Sequence, residues 1–297
     1  MVDNSNKEVI WNFFAHFILI VFAVICIIPM VITISVSLSN ELDLARNGYS
    51  LFPRIFDLSA YRYIFKAPNA LLNAYGVTIF ITIIGTILGV LCMSLISYPL
   101  SRSDFKWRGI IGFVVLFTML FNGGLVPTYI MITKYLKLRN NIFVMILPII
   151  VNAWNIFLLV TYMKEIPASI VESAKIDGAR EIVIYSRIIL PLSKPALATI
   201  ALLLSLRFWN EWYTALLYIT DQSLLPLQFW MQRVMRNMQF LLMNQDMMGG
   251  DAISVNDLPS ESVKMAMAVL AAGPMMLVFP FFQKYFAKGL KIGGVKG

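Results

Sequence analysis

The chain has 297 residues, 59% of them hydrophobic and 13% charged, with 24 Lys and Arg against 16 Asp and Glu for a formal net charge of +8. A soluble domain carries about a quarter charged residues, so this composition belongs to a membrane protein whose length divides into spans of about 20 residues. The single histidine, His16, excludes an H-E-x-x-H zinc site and any histidine-paired triad, and no G-x-x-x-x-G-K-[ST] phosphate loop is present. The positive charge needs no nucleic acid, because Lys and Arg beside membrane spans meet anionic headgroups and set topology. Cys26 and Cys92 fall within apolar runs and read as small hydrophobes rather than as a disulfide or metal pair.

A polar start, 1–11, leads into an apolar run over about 13–36, too long for a signal-peptide core and read as a retained first span. Residues of about 37–73 carry charge and two prolines, with a short helical pattern over 59–66, and form an extramembrane loop. The second span covers about 74–100 and is followed by the basic turn 101–108. The third, about 110–132, is interrupted by Asn122-Gly123-Gly124 and Pro127, which are tolerated at membrane depth where neighbours satisfy the freed backbone groups. A fourth is expected over about 141–162, a fifth over 196–219 and a sixth over 262–286, with a polar loop at 220–261 and a basic tail. With both termini on the cytoplasmic side, more of the loop Lys and Arg fall inside, over shorter segments.

Between the fourth and fifth runs the charge is concentrated: Glu165, Glu172, Lys175, Asp177, Arg180, Glu181 and Arg187 crowd together. Pro167 suits a first helical turn, Ser169 with Glu172 three residues on suits a capping box, and Gly178 suits a left-handed helix end. A second short helix would follow until Pro191 and Pro195 reset the backbone. The segment reads as helix, glycine hinge, helix: a compact knob on the inner face.

This spacing resembles the EAA loop of the membrane subunits of ABC importers, whose signature is E-A-A-x-x-x-G, nine residues, then I-x-L-P. It stands here as Glu172-Ser173-Ala174, Gly178, then Ile188-Ile189-Leu190-Pro191, with Asp177 before the glycine and Ser173 the one departure. The alternative for the same residues is a capped amphipathic loop helix in which Glu172 serves its own terminus. By resemblance, the knob's first helix sits in a cleft of a separate ATPase. Glu172 pairs there with a basic residue, Ile170 makes an apolar contact, and Ala174, Asp177 and Gly178 complete the coupling surface.

In the fifth span, Arg207-Phe208-Trp209-Asn210-Glu211-Trp212-Tyr213 places ionisable groups roughly 18 Å past Pro195, near mid-bilayer. Such groups face a bundle interior or a water-filled cavity, and Arg207 and Glu211 at i and i+4 are spaced to pair. The patch resembles the W-N-E/x-F region of sugar-importer permeases. Arg207, Trp209, Asn210, Glu211 and Trp212 are therefore the expected substrate-pathway residues, with a purely structural ion pair as the competing reading. Asn152, Trp154 and Asn155 in the fourth span are weaker candidates, since polar residues often bridge helices in lipid. The 220–261 loop reads either as a docking element for a solute-binding protein or as a mobile external loop.

Together with the tail, Pro280 to Phe286 and onward, these features make the chain similar to permeases of maltose-type ABC importers, in the subfamily for complex oligosaccharides. The resemblance implies an all-α polytopic inner-membrane protein of six transmembrane helices with the type I ABC importer permease fold, a single domain over 1–297. It places a cytoplasmic coupling loop at about 163–194, external loops at about 37–73 and 220–261, and both termini in the cytoplasm. It implies no catalysis and no cofactor in this chain, ATP and Mg being held by two partner ATPase subunits. A homologous second permease, a periplasmic or lipid-anchored solute-binding protein, membrane lipid and an oligosaccharide such as alginate or another uronate chain complete the expected assembly. A permease for a non-sugar solute, a gradient-driven carrier and a membrane scaffold are the competing functions.

Overall fold

The structure is a computed structural model that describes residues 4–243 and 260–293, with side chains described for 11–240, 243 and 260–280. Among these residues every element is helical, apart from an isolated antiparallel bridge between Ser39 and Phe56. The chain forms two compact units, 1–68 with 231–273, and 69–230 with 274–297.

The first unit begins with α1 (Asn4–Ser37), whose side chains remain exposed from Trp11 to Met30 apart from the half-buried Ala15. Phe13, at 74% exposure, and Phe22, at 65%, have no protein core to enter. A helix with such a surface belongs against lipid or an apolar partner surface. Asn40 then starts α2 (Glu41–Asn47) by accepting the Leu42 and Asp43 amides at 3.0 and 3.4 Å, and its own amide donates to Asp57 at 3.0 Å. A short α3 (Ser59–Ile64) follows. Glu41 also caps the start of α14 (Glu261–Gly293). Its carboxylate accepts from the Ser260 hydroxyl, the Glu261 and Ser262 amides and the Ser262 hydroxyl at 2.7–3.1 Å. An anion at a helix N-terminus satisfies amides that have no partner within the helix.

In the second unit α4 (Pro68–Ser101) is the long continuous element, its 34 residues extending roughly 50 Å. Its buried stripe, including Thr78, Thr82, Gly85, Gly89, Ser94 and Ser97, consists largely of small residues, which let a second backbone approach closely in lipid. Near its beginning, Asn73 donates to the Ser223 carbonyl at 2.6 Å and Thr78 Oγ1 accepts the Leu227 amide at 2.7 Å. The first part of the 220–261 loop is therefore ordered, as a short 3-10 turn and α13 (Leu227–Met243). Residues 244–259, including Asp246, Gly249, Gly250, Asp251 and Asp257, lie outside the described residues, as does the end of the tail.

The third apolar run breaks where its glycines stand. α5 (Arg108–Leu120) stops, Asn122 Oδ1 accepts the Gly124 amide at 2.9 Å, Gly124 takes φ +83°, and α6 (Leu125–Ile130) leaves at 112°. The fourth run differs from expectation. Instead of one helix over 141–162 it has a 3-10 turn, Ile142–Met145, a break, and α7 (Ala153–Lys164). Pro148 disfavours helix at the preceding residue and removes a donor, and Asn152 restarts the helix by accepting the Asn155 amide at 3.1 Å. Three helices are long and apolar enough to cross a membrane (Trp11–Ser37, Pro68–Ser101 and Glu261–Pro280), and two bent pairs raise the number to at most five among the described residues. Of the six spans expected, the one absent from this count is the broken fourth run.

Candidate functional site: the knob and the end of α11

The knob follows α7. Pro167 occupies the N-cap of α8 (Ala168–Ile176), with φ −55° and ψ 130° and no side chain able to accept an amide. The capping box expected from Ser169 and Glu172 therefore does not form: Ser169 is already inside the helix, and both residues are exposed. The C-terminus behaves as its glycine dictates. Gly178 has φ +76°, its amide donates to the Lys175 carbonyl at 3.0 Å, and the Ala179 amide donates to the Ala174 carbonyl at 2.9 Å. These are the two bonds of a Schellman motif, which needs a residue tolerant of the left-handed region.

The faces of α8 then separate. Val171 is buried and Ala174 half-buried, packed with Tyr98, Met163, Ile184, Tyr185 and Ile189 into the knob's own apolar core. Ala174 thus uses its small size in internal packing. Ile170, Glu172, Asp177 and Gly178 are each exposed, with Ile170 and Glu172, two residues apart, on different sides of the helix. Ile176, not singled out from the sequence, is 86% exposed on the face it shares with Glu172, four residues before it. Glu172 forms no ion pair among the described residues.

After Gly178, α9 (Glu181–Ile184) widens into a π turn over Tyr185–Ile189, where the Leu190 amide bonds the Tyr185 carbonyl, and closes as α10 (Leu190–Leu192). Pro191 explains the wide turn: it lacks an amide to donate, and its ring would clash with the carbonyl of the preceding turn. A bend of 78° separates this helix from α11 (Lys194–Trp209).

Lys175 is the hub of a polar network that holds the knob. Its Nζ lies 2.7 Å from Asp104 Oδ2 and 2.8 Å from Glu181 Oε1, and Arg102 Nε lies 3.2 Å from Asp104 Oδ1. Tyr98 donates to Glu181 Oε2 at 2.6 Å, and the Tyr185 and Ser94 hydroxyls share a hydrogen bond of 2.8 Å. The hydrogen bonds from Lys175 and then Arg102 lower the Asp104 carboxyl to about 2. The same bond to Asp104, followed by that to Glu181, raises the Lys175 ammonium. A cavity of about 520 Å³ opens beside the network, lined by Leu95, Tyr98, Pro99, Phe105, Ile182 and Tyr185 together with Arg102, Asp104 and Glu181.

The expected patch in the fifth run is rearranged by the end of α11. The helix stops at Trp209, with Asn210 as its C-cap, so Arg207 and Glu211 lose the i, i+4 relationship and do not form the expected ion pair. Glu211, only 8% exposed, turns inward, where its Oε1 accepts the Thr214 amide at 2.6 Å at the start of α12 (Tyr213–Tyr218). Arg207, Asn210 and Trp212 are exposed, whereas Trp209 is buried with its ring 6.5 Å from that of Tyr75. Asn210 donates to the Leu206 carbonyl at 2.8 Å and accepts from Gln228 at 3.3 Å. In the fourth run, Asn152 is a helix cap, Asn155 is buried and Trp154 is exposed.

Residues 10–292 match the family model described as binding-protein-dependent transport system inner membrane component. The chain belongs to this family. It is 38% identical over 293 residues to the polygalacturonan/rhamnogalacturonan transport system permease protein YtcP of Bacillus subtilis (strain 168), covering 98% of this chain and all of that one. It is 39% identical over 273 residues to protein LplC of the same organism, covering 92% and 90% of the two chains. Among solved structures it is similar to a chain of a bacterial ABC transporter involved in the import of the acidic polysaccharide alginate. That match has a TM-score of 0.78 and 29% identity, and covers 94% of this chain and 98% of that one. The permease is thus the inner-membrane component of an ABC importer and not itself an enzyme, with the type I permease fold and with permease, ATPase and binding-protein partners as a class.

Tyr98, Asp104, Lys175 and Glu181 are the residues of this site that sequence reasoning missed as a group. Asp104 and Lys175 are 71 positions apart, and nothing local in the chain joins them. Gly85-x-x-x-Gly89 in α4, by contrast, carries its signal in the sequence as a small-residue packing motif.

Proposed function

We propose that this permease imports oligosaccharide fragments of acidic polysaccharides by alternating access, in a complex with a homologous but different permease, two ATPase subunits and a solute-binding protein. The observation that carries the substrate class is the agreement between a relative named for polygalacturonan and rhamnogalacturonan transport and a structural neighbour involved in alginate import, both matched over nearly the whole chain. The end of α11 suits such a solute. Arg207 is an exposed cation in the same stretch as the exposed Asn210 and Trp212, while one oxygen of the acid in that stretch, Glu211, accepts the Thr214 amide. A uronate carboxylate meets the guanidinium, sugar hydroxyls meet the amide, and a pyranose face lies on the indole.

In this reading the knob and both termini are cytoplasmic, in keeping with the Lys and Arg bias of the loops. The knob docks on the ATPase through α8 and its end, with Ile170, Glu172, Asp177 and Gly178 as the contact residues, and ATP with Mg binds in those partner subunits. Glu172 has no ion pair among the described residues and so is available to a basic residue on that surface.

The test is uptake by proteoliposomes containing the whole importer, loaded with ATP and offered labelled oligogalacturonate, oligoalginate or a neutral malto-oligosaccharide. Saturable uptake of a uronate chain, abolished without ATP, is the expected result. Uptake of the neutral sugar alone would overturn the substrate class, and ATP-independent uptake would overturn the importer mechanism.

A further inference from the structure

We propose that Lys175, Glu181 and Tyr98 are positioning residues that bolt the coupling knob to α4, so that knob movement reaches the solute pathway through α4 rather than along the chain into α11. The inference rests on the reading that the knob docks on an ATPase. The covalent route from α8 to α11 runs through the left-handed Gly178, the π turn over Tyr185–Ile189 and the 78° bend before Lys194. At each of these the chain departs from a straight α-helix, so no continuous rod joins α8 to α11.

The non-covalent route runs through side-chain contacts to a single helix. Lys175 on α8 reaches Glu181 at the head of α9, and the second oxygen of Glu181 takes the Tyr98 hydroxyl on α4. One turn back along α4, Ser94 holds Tyr185, whose ring lies 5.4 Å from that of Tyr98. The knob is therefore attached to α4 at two successive turns. Isolated surface ion pairs contribute little to stability. Here each acid has a second donor, Arg102 for Asp104 and Tyr98 for Glu181, and such a network defines direction even where it adds little stability.

From Tyr98 the same unbroken helix runs about 20 Å to Gly85. There Gly85 and Gly89 contact Phe208 and Leu204 of α11, directly before Trp209 and Asn210. A push on Lys175 thus has a continuous packed path to the end of α11, and small displacements pass through close-packed interiors without being absorbed.

The experiment uses the complete importer in proteoliposomes, with Tyr98→Phe, Lys175→Met, Lys175→Arg and the Tyr98→Phe/Lys175→Met double variant. The readouts are the ATPase content of the purified complex and the solute moved per ATP hydrolysed. Expected are complexes with their ATPase still bound and a transport-to-ATP ratio lowered roughly fivefold or more in Tyr98→Phe and Lys175→Met. Lys175→Arg should recover most of the ratio, and the double variant should be no worse than the poorer single one. An unchanged ratio in both single variants, losses that multiply in the double variant, or loss of assembly with a normal ratio in the remaining complex would each overturn the proposal. The docking reading fails separately, and visibly, if Glu172→Ala retains bound ATPase with wild-type stimulation.

Discussion

Gly85 of α4 lies against the ring of Phe208 so closely that a Cβ on residue 85 would stand 2.5 Å from Phe208 Cζ. Four residues on, a Cβ at Gly89 would meet Leu204 Cδ1 at 2.8 Å and the Ile150 carbonyl at 3.0 Å. Without a hydrophobic drive between helices in lipid, close approach of this kind is what holds α4 to α11. Gly85→Ala should destabilise the permease by about 1–3 kcal/mol through overpacking. Because the obstacle is a side chain, adding Phe208→Leu should recover much of the loss. Thermal unfolding in detergent of the two single variants and the pair measures this, and purely additive losses would mean the glycine matters for another reason.

The Glu41 carboxylate closes the start of α14 with four hydrogen bonds, two of them from backbone amides. Glu41→Ala leaves those amides without their acceptor, at a cost of roughly 1–3 kcal/mol. Hydrogen exchange should accelerate at Glu261 and Ser262 while remaining slow at the centre of α4. Glu41→Gln, which keeps one acceptor oxygen, should fall between wild type and Glu41→Ala.

What the sequence disclosed depended on how local the cause was. Pro167 and Gly178 act through their own backbone preferences, so a helix–glycine–helix knob was legible, and so was the break at Asn122–Gly124. The capping box failed because Pro167 took the cap position, leaving Ser169 inside the helix. The fourth run looked continuous because hydropathy is blind to Pro148, whose effect is on backbone geometry and not on apolarity. The Arg207–Glu211 pair assumed a helix that in fact ends at Trp209. Burial of Trp209 against Tyr75 and the network through Asp104, Lys175 and Tyr98 depend on packing between distant segments, which no spacing along one run encodes.

The Asp104 carboxyl, held at about 2 by Lys175 and Arg102, gives the knob a defined acid response. Since its folded value is depressed below the ordinary 3.8, its contribution to stability is fully present above about pH 4 and is lost as pH falls from there through 2. Between about pH 6 and 8 this tie should be constant. Hydrogen exchange of α8 measured down the acid range should show wild-type protection declining towards that of Asp104→Asn, and the variant should keep only the part of the step that Glu181, also lowered by Lys175 and Tyr98, supplies. A step centred near neutrality would assign the response to another group.

At Gly178 an added Cβ would meet nothing within 4 Å, and the constraint is the backbone alone, at φ +76°. An L-residue there costs about 1–2 kcal/mol, with Asn tolerated better than Ala or a branched residue. Gly178→Val should therefore loosen the Schellman end of α8 and tilt the exposed face carrying Glu172 and Ile176. Binding-protein-stimulated ATP hydrolysis of the whole importer should fall in Gly178→Val and largely survive in Gly178→Asn. Glu172→Ala, which leaves the helix end intact, should lower stimulation without changing exchange at Gly178 and Ala179. If Asn and Val at 178 are equally damaging, steric fit against a partner surface, and not backbone conformation, is the reason a glycine stands there.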